Sequence, residues 1–408
     1  MIAERAVPVL GLIVMIAIAW AFSTDRRKFP LRIVGWGLGL QLSLGVLLLK
    51  TPAGRPFFDG MNALTTALQT FTDVGSRFVF GALADTGFSF VVNVLPIIIF
   101  MGSVFAVLYH LGIVQRAVGV LSRLLSRTMG TSGAESLATV ANLFLGMTES
   151  ALLVKPYLER MTRSELFLLM TMGMATVAGS VMLSYVGMLG GGDYAGHLAT
   201  ASLLSAPAGI IVAKIMIPET QTPETYSHDG ATTPRTSVNV FDAAAQGAIA
   251  GLRLAAYVGA LLLAFVALIA LVNAAIGGLG SWVGLEGLSM QKLLGIALAP
   301  VAWLLGVPWQ DAPSIGALLG MKTVLNEFIA YSELASLIEA GTLSPRSVVI
   351  ASYALCGFAN FGSLAILLGG IGGIAPTRRA DVARLGMRSI LSGSLATFMT
   401  ACVAGILL

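Results

Sequence analysis

The chain has 408 residues, of which 56% are hydrophobic and only 11% charged, less than half the roughly 25% charge of a soluble domain. A mean hydropathy of +0.88 therefore marks an integral membrane protein, and long continuous apolar segments exclude the alternating pattern of an outer-membrane barrel. The net charge of +4 does not point to nucleic acid, because the positive residues sit mostly in short loops between apolar segments, where they set orientation.

In chain order, residues 7–22 read as a first apolar helix, followed at once by Asp25-Arg26-Arg27-Lys28. The basic cluster follows the apolar run, and the one small-x-small triplet, Ala17-Ile18-Ala19, lies inside it. An uncleaved helix with a cytoplasmic basic loop and an outer N-terminus is expected, not a signal peptide. Residues 33–49 return outward into a more polar stretch from 51 to about 85, and 91–111, with Asn93 and Pro96, form a packed or kinked third span. Over 114–129, Gln115, Arg116, Arg123 and Arg127 recur at helical spacing, as in a basic amphipathic helix on the inner surface or an ordinary loop helix.

The segment 142–154 is largely apolar but contains Glu149. A carboxylate at membrane depth costs roughly 2.5–3.5 kcal/mol on insertion scales and usually faces a cavity, although a satisfied interhelical polar contact is the plainer reading. Residues 136–157 are too few and too interrupted by Gly146 and Glu149 for two crossings, yet both flanks are basic, at Arg123/Arg127 and Arg160/Arg163. A re-entrant helical hairpin with its tip near 146–149 is expected, since such a break is tolerated only where it is buried in protein or lines a cavity. Residues 166–189 then cross outward with Gly179 and Ser180 midway, and 198–215 cross back.

A Thr- and Pro-rich linker occupies 218–242, and 248–276 form the longest apolar run. Residues 288–307 are a mixed stretch with interfacial aromatics rather than a clean span. The pattern then repeats: 313–338 read as a second re-entrant hairpin, from the opposite side, with Asn326-Glu327 at its turn. Residues 348–368 cross inward, interrupted by Gly357, Asn360 and Gly362; Arg378, Arg379 and Arg384 form a cytoplasmic loop; and 390–408 cross out. The fold class is thus all-α integral membrane, with eight transmembrane helices plus two opposed re-entrant hairpins in inverted repeats and interfacial helices. Glu149 precedes Ala178-Gly179-Ser180 by about the gap that separates Glu327 from Asn360. Paired, Gly-interrupted segments of this kind point to a transporter's central site.

The glycines of 369–373 follow no strand and read as a closely packed or flexible helix end, not a nucleotide fingerprint. Cys356 and Cys402 lie in apolar spans, and His110, His197 and His228 are scattered, so neither a disulfide framework nor a clustered metal site is expected.

Four ordered stretches resemble the concentrative nucleoside transporters: GMTES at 146–150 followed by LLVKPYL, VPWQDA at 307–312, VLNEFIAY at 324–331, and ALCGFANFGS at 354–363 followed by ILLGG. The likeness runs from about Asn93 onward. It implies a homotrimer in a bacterial inner membrane, importing nucleosides by sodium symport through elevator-type alternating access. The implied division is scaffold 1–112, first transport half 113–217, cytoplasmic linker 218–247, scaffold helix and interfacial helix 248–308, and second transport half 309–408, with both termini outside. Residue by residue, Met147, Thr148 and Glu149 match base-side positions, Glu327, Asn360 and Ser363 the ribose side, and Phe358 an aromatic near the site. Asn142, Leu145, Ser180 and Val181 match the sodium positions. The family's first-hairpin tip has Gln where this chain has Met147, which removes a base-edge hydrogen-bonding group.

The residue chemistry is compatible with these roles. A carboxylate such as Glu327 and an amide such as Asn360 can pair vicinal ribose hydroxyls through charge-assisted bonds, and sodium suits oxygen donors at helix breaks. Asn360 and Ser363 could instead be small polar residues packing helices. Glu149 and Glu327 keep proton coupling as the alternative. An intramembrane hydrolase is more remote, because His110, the histidine placed near the core, has no Ser or Asp motif beside it. A passive channel is a third reading, against which the two opposed hairpins argue for alternating access.

Overall fold

The structure, a computed structural model, describes residues 2–85, 89–191, 194–225, 237–282 and 287–408. The central part of the expected linker and His228 lie outside them. The described elements are helical throughout: α1 (Ile2–Ala21), α2 (Leu31–Lys50), α3 (Gly54–Phe80), α4 (Leu95–His110, entered through a π-turn at Phe90–Val94), α5 (Ile113–Met129), α6 (Gly133–Phe144), α7 (Met147–Leu153), α8 (Lys155–Leu158), α9 (Arg163–Ala175), α10 (Gly179–Met188) and α11 (Tyr194–Met216). They continue with α12 (Val240–Trp282), α13 (Met290–Leu304), α14 (Ala312–Val324), α15 (Glu327–Glu339), α16 (Pro345–Leu355), α17 (Phe361–Ile374) and α18 (Arg379–Leu407).

Six helical segments among the described residues are long and apolar enough to cross a membrane, while the apolar part of α1 and helix α17 are shorter. One difference from expectation has a plain cause. The stretch after residue 51, read as merely polar, forms the 27-residue helix α3; its apolar residues are spaced by helical turns, which a reading of average polarity misses. The mixed stretch near 288–307, where an interfacial helix is expected, forms the 15-residue helix α13, started by Ser289, whose side chain accepts from the Lys292 backbone N–H at 3.2 Å.

The chain builds one arrangement twice. In each half a helix–break–helix pair (α6/α7, α14/α15) precedes a helix broken at mid-length (α9/α10, α16/α17) and then a long helix (α11, α18), α11 being preceded directly by α10 and α18 by a short turn at Pro376–Arg378. Helices α11 and α18 pack side by side. The halves interlock, for α7 packs on α17 and α10 on α15.

Polar clamps set the base of each pair. In the first half, Ser132 and Thr162 cap α6 and α9 with reciprocal boxes to Glu135 and Glu165, and Ser132 Oγ also donates to Glu165 Oε1 at 2.6 Å. Lys214 of α11 pairs with Glu135 and donates to Ser164 Oγ at 2.9 Å, so its buried charge is compensated. In the second half Asp311, at the start of α14, accepts from Ser344 Oγ at 2.8 Å and Ser347 Oγ at 2.5 Å at the start of α16.

Small residues allow the tight crossings that apolar solvent alone does not drive. Gly247 and Gly251 of α12 lie against Gly102 of α4, where a Cβ on Gly251 would come within 2.8 Å of the Ile98 carbonyl oxygen. The glycine run ending α17 is packed in part only: a Cβ on Gly370 would meet Thr148 and one on Gly372 would meet Arg379, whereas Gly369 and Gly373 have open space beside them.

The two ends of the molecule are distinct. At one end the loop after α1 bonds the end of α11 (Thr24 N–H to Met216 O, 2.9 Å), and Arg378 donates to the carbonyls of Glu159 at 3.0 Å and Met161 at 2.7 Å. Arg378 thus acts as a helix-end clamp as well as a topology signal. At the other end Arg346 donates to Gly306 O at 3.1 Å and Gly405 O at 2.6 Å, and Gly306 lies against Pro8, so both chain termini sit there.

Candidate functional site

The two breaks and the two pair tips meet at a cavity of about 600 Å³, within the size range of small-molecule sites. Met147, Thr148, Glu149, Glu327, Phe358, Asn360 and Ser363 all line it. The sequence separates these residues by more than 200 positions; the interlock of α7 with α17 and of α10 with α15 brings them together.

On one side, Glu327 opens α15 behind Asn326, whose side chain caps the helix by accepting from the Ile329 N–H at 2.9 Å. Asn360 does the same for α17, accepting from the Ser363 N–H at 2.8 Å. Its amide nitrogen then donates to Glu327 Oε2 at 2.7 Å, and the Tyr185 hydroxyl donates to Glu327 Oε1 at 3.0 Å. The carboxylate is buried and held from both sides, and each oxygen keeps a further lone pair for a ligand hydroxyl. Tyr185 itself stacks on Tyr331, with ring centroids 4.4 Å apart, and meets Phe328 edge-on at 4.8 Å.

On the other side, Glu149 lies exposed in the first turn of α7 with its carboxylate curled towards Gly146, and Thr148 packs on Gly370. Met147 is buried. Phe358 is half-buried between the sides.

Behind this first tip lies a set of neutral oxygens. Asn142 donates to Thr176 Oγ1 at 2.8 Å and accepts from Ser150 Oγ at 3.3 Å. It is buried and stands back from the cavity, whereas Leu145, Ser180 and Val181 line it. Helix α6 ends at Phe144 and α9 at Ala175, so backbone carbonyls at both ends lack intrahelical partners. Gly179, the first residue of α10, lets the break pack closely on α4, since a Cβ there would come within 2.6 Å of the Phe105 ring, and it leaves the Phe144 carbonyl oxygen at the end of α6 in contact distance, 3.4 Å from that position. Side-chain and backbone oxygens without a formal charge suit a hard monovalent cation.

Sequence reasoning missed Tyr185, Ser150 and Thr176. Ser150 stood inside the GMTES motif, but Tyr185 and Thr176 carry no local signal, being defined by partners 142 and 34 positions away. The histidines also differ from expectation. His110 does have a serine partner, Ser237 Oγ at 2.7 Å, which ties the end of α4 to the segment entering α12. His197, rather than His110, is packed among aromatics, between Phe58 and Tyr353.

Comparison with known proteins gives a consistent result. The family described as "Na+ dependent nucleoside transporter C-terminus" matches residues 197–405, its N-terminal counterpart 10–83, and "Nucleoside recognition" 91–192. The uncharacterised transporter YutK of Bacillus subtilis is 45% identical, over 97% of this chain and 98% of its own length. Solute carrier family 28 member 3 of Mus musculus is 42% identical over 97% of this chain, which spans 58% of that longer protein. Among solved structures, CNTnw in an inward-facing substrate-bound state matches with a TM-score of 0.92 and 42% identity, covering 99% of this chain and 98% of that one. A doubly substituted CNTnw in an outward-facing state matches with a TM-score of 0.94 and 41% identity, covering 100% and 98%.

Proposed function

The chain belongs to the Na+-dependent concentrative nucleoside transporter family, and from that premise we propose that it imports nucleosides by sodium symport, carrying them in a mobile helical core that moves past a fixed frame. Its relatives are transporters, not enzymes. The observation that carries the reading is the convergence of two pair tips and two helix breaks on one cavity, with a clamped carboxylate on one side and a neutral oxygen cluster behind the other.

In this reading the pairs are re-entrant hairpins and the chain crosses the membrane eight times, the α16/α17 pair forming one broken span. The core comprises 113–217 and 309–408, the frame 1–112 and 248–308, and 218–247 is the linker. Burial supports the division: in the most apolar stretches of α9–α10, α11 and α18, 83%, 89% and 83% of residues are buried, against 22% in α2, 28% in the α4 span and 17% in α12. The frame's exposed apolar side chains, such as Phe71, Phe78, Leu263 and Leu271, would face lipid or sister protomers in a homotrimer. In the same reading the basic loops at the Arg378 end would face the cytoplasm of a bacterial inner membrane, with both termini outside.

Ribose hydroxyls would donate to Glu327, with Ser363 and Asn360 beside them, while Thr148, Glu149 and Met147 face the base and Phe358 packs on the sugar–base unit. A site built around hydroxyls rejects analogues that lack them. In a competition series against uridine uptake in proteoliposomes, adenosine and other ribonucleosides should compete, and 2′,3′-dideoxynucleosides should compete roughly a hundredfold more weakly; equal competition by the dideoxy series would refute the ribose assignment.

Base preference rests on Met147, a flexible apolar side chain where the family carries Gln. Met147→Gln adds a donor and an acceptor to the base side and should shift the ratio of pyrimidine to purine affinity. Superimposable competition profiles for wild type and variant would remove Met147 from the base contact.

A further inference from the structure

The second hairpin contains a buried ammonium that the nucleoside site leaves unexplained. Lys322 of α14 is 1% exposed and stands four positions before Asn326, the N-cap of α15. Asn142 of α6 stands four positions before Gly146, the N-cap of α7. The two side chains therefore occupy corresponding places in the repeated halves, and they reach corresponding targets. Asn142 bonds Thr176, in the break between α9 and α10. Lys322 Nζ donates at 2.8 Å to the carbonyl of Ala354, where α16 gives way to its break, and at 3.1 Å to Thr397 Oγ1 of α18.

Lys322 is not part of the cavity lining, so it does not touch a ligand there. Burying a lysine is costly unless its charge is compensated, and helix-break carbonyls are the groups that coordinate cations in transporters of this kind. The ammonium meets one such carbonyl, and it lies within electrostatic reach of the buried Glu327 carboxylate.

We propose that Lys322 is a tethered cation: it fills, in the second half, the place that the coupling ion takes in the first. This rests on the sodium reading of the first hairpin. Lys322 then acts as a positioning residue, joining α14, the α16 break and α18 so that Phe358 and Asn360 are held in place without an ion. One sodium site per nucleoside site follows, because the corresponding second site is already occupied by the protein itself.

The test is nucleoside affinity of purified full-length protein measured across a sodium titration, for wild type, Lys322→Arg and Lys322→Asn. Wild type should show a Hill slope near one, and Lys322→Arg should keep it. Lys322→Asn, which copies the first half, should bind at least roughly tenfold more weakly at low sodium, within the usual range of site coupling, and recover at high sodium with a slope approaching two. Should Lys322→Asn fail to fold, Asn142→Lys decides: nucleoside binding that no longer rises with sodium supports the tethered-cation role, and binding that still requires sodium, or is lost at every sodium concentration, overturns it. Wild-type binding indifferent to sodium would defeat the sodium reading and this inference with it. A sodium-dependent wild type whose titration is matched by Lys322→Asn would defeat the Lys322 assignment alone.

Discussion

Glu327→Gln should lower nucleoside uptake about a hundredfold while leaving the protein folded. The structure explains why a change that keeps the shape has so large an effect. Both carboxylate oxygens already accept hydrogen bonds, Oε1 from Tyr185 and Oε2 from Asn360. A glutamine keeps one acceptor oxygen instead of two: its NH₂ either opposes the Asn360 amide nitrogen or faces Tyr185, whose hydroxyl must then turn to accept, and in both cases the remaining oxygen carries no charge to offer a ribose hydroxyl. Hydrogen bonds to a charged group contribute up to about 3 kcal/mol, which corresponds to roughly two decades in affinity or rate. The measurement is uptake of uridine and adenosine in proteoliposomes, with folding checked by size-exclusion elution and thermal unfolding. Wild-type uptake of both nucleosides by a folded Glu327→Gln protein would remove Glu327 from the ribose site.

Asn142→Ala should weaken sodium binding by at least roughly tenfold, the scale seen even for partners one step removed from a metal ligand, and should weaken nucleoside binding in moderate sodium as a consequence. Asn142 lies behind the tip of the α6/α7 pair, bonded to Ser150 on α7 and Thr176 at the α9 break. An ion held by this oxygen set would join the tip that carries Thr148 and Glu149 to the break that carries Ser180. Ordering that tip before the nucleoside arrives raises the competent fraction and so the apparent affinity. At saturating sodium the nucleoside affinity of Asn142→Ala should return towards wild type, because the base-side residues remain. If the variant matches wild type throughout a sodium titration, Asn142 is a packing residue and the ion binds elsewhere.

Much of this was legible in the sequence because membrane solvent leaves few alternatives. The broken elements were marked by glycines and single polar residues in apolar runs, and Gly146, Glu149, Gly179 and Asn360 all fall at or beside observed breaks. All seven residues matched to the substrate site reach one cavity. What stayed hidden depends on contacts distant in sequence. Tyr185 is an unremarkable aromatic in an apolar helix until α15 delivers Glu327 to its hydroxyl. Arg378 counted only as a loop charge and Lys214 drew no notice, although the first closes carbonyls near residue 160 and the second neutralises Glu135. Helix α3 was missed for a different reason: its average polarity concealed a regular period.

The most direct test of the account is calorimetric nucleoside binding to the purified protein in sodium and in choline at equal ionic strength. Coupling through the first hairpin requires tighter binding in sodium, and by linkage the nucleoside must tighten sodium binding by the same factor. Equal nucleoside affinities in the two salts, together with uptake driven by an inward proton gradient alone, would contradict sodium symport and leave Glu149 and Glu327 as the proton carriers.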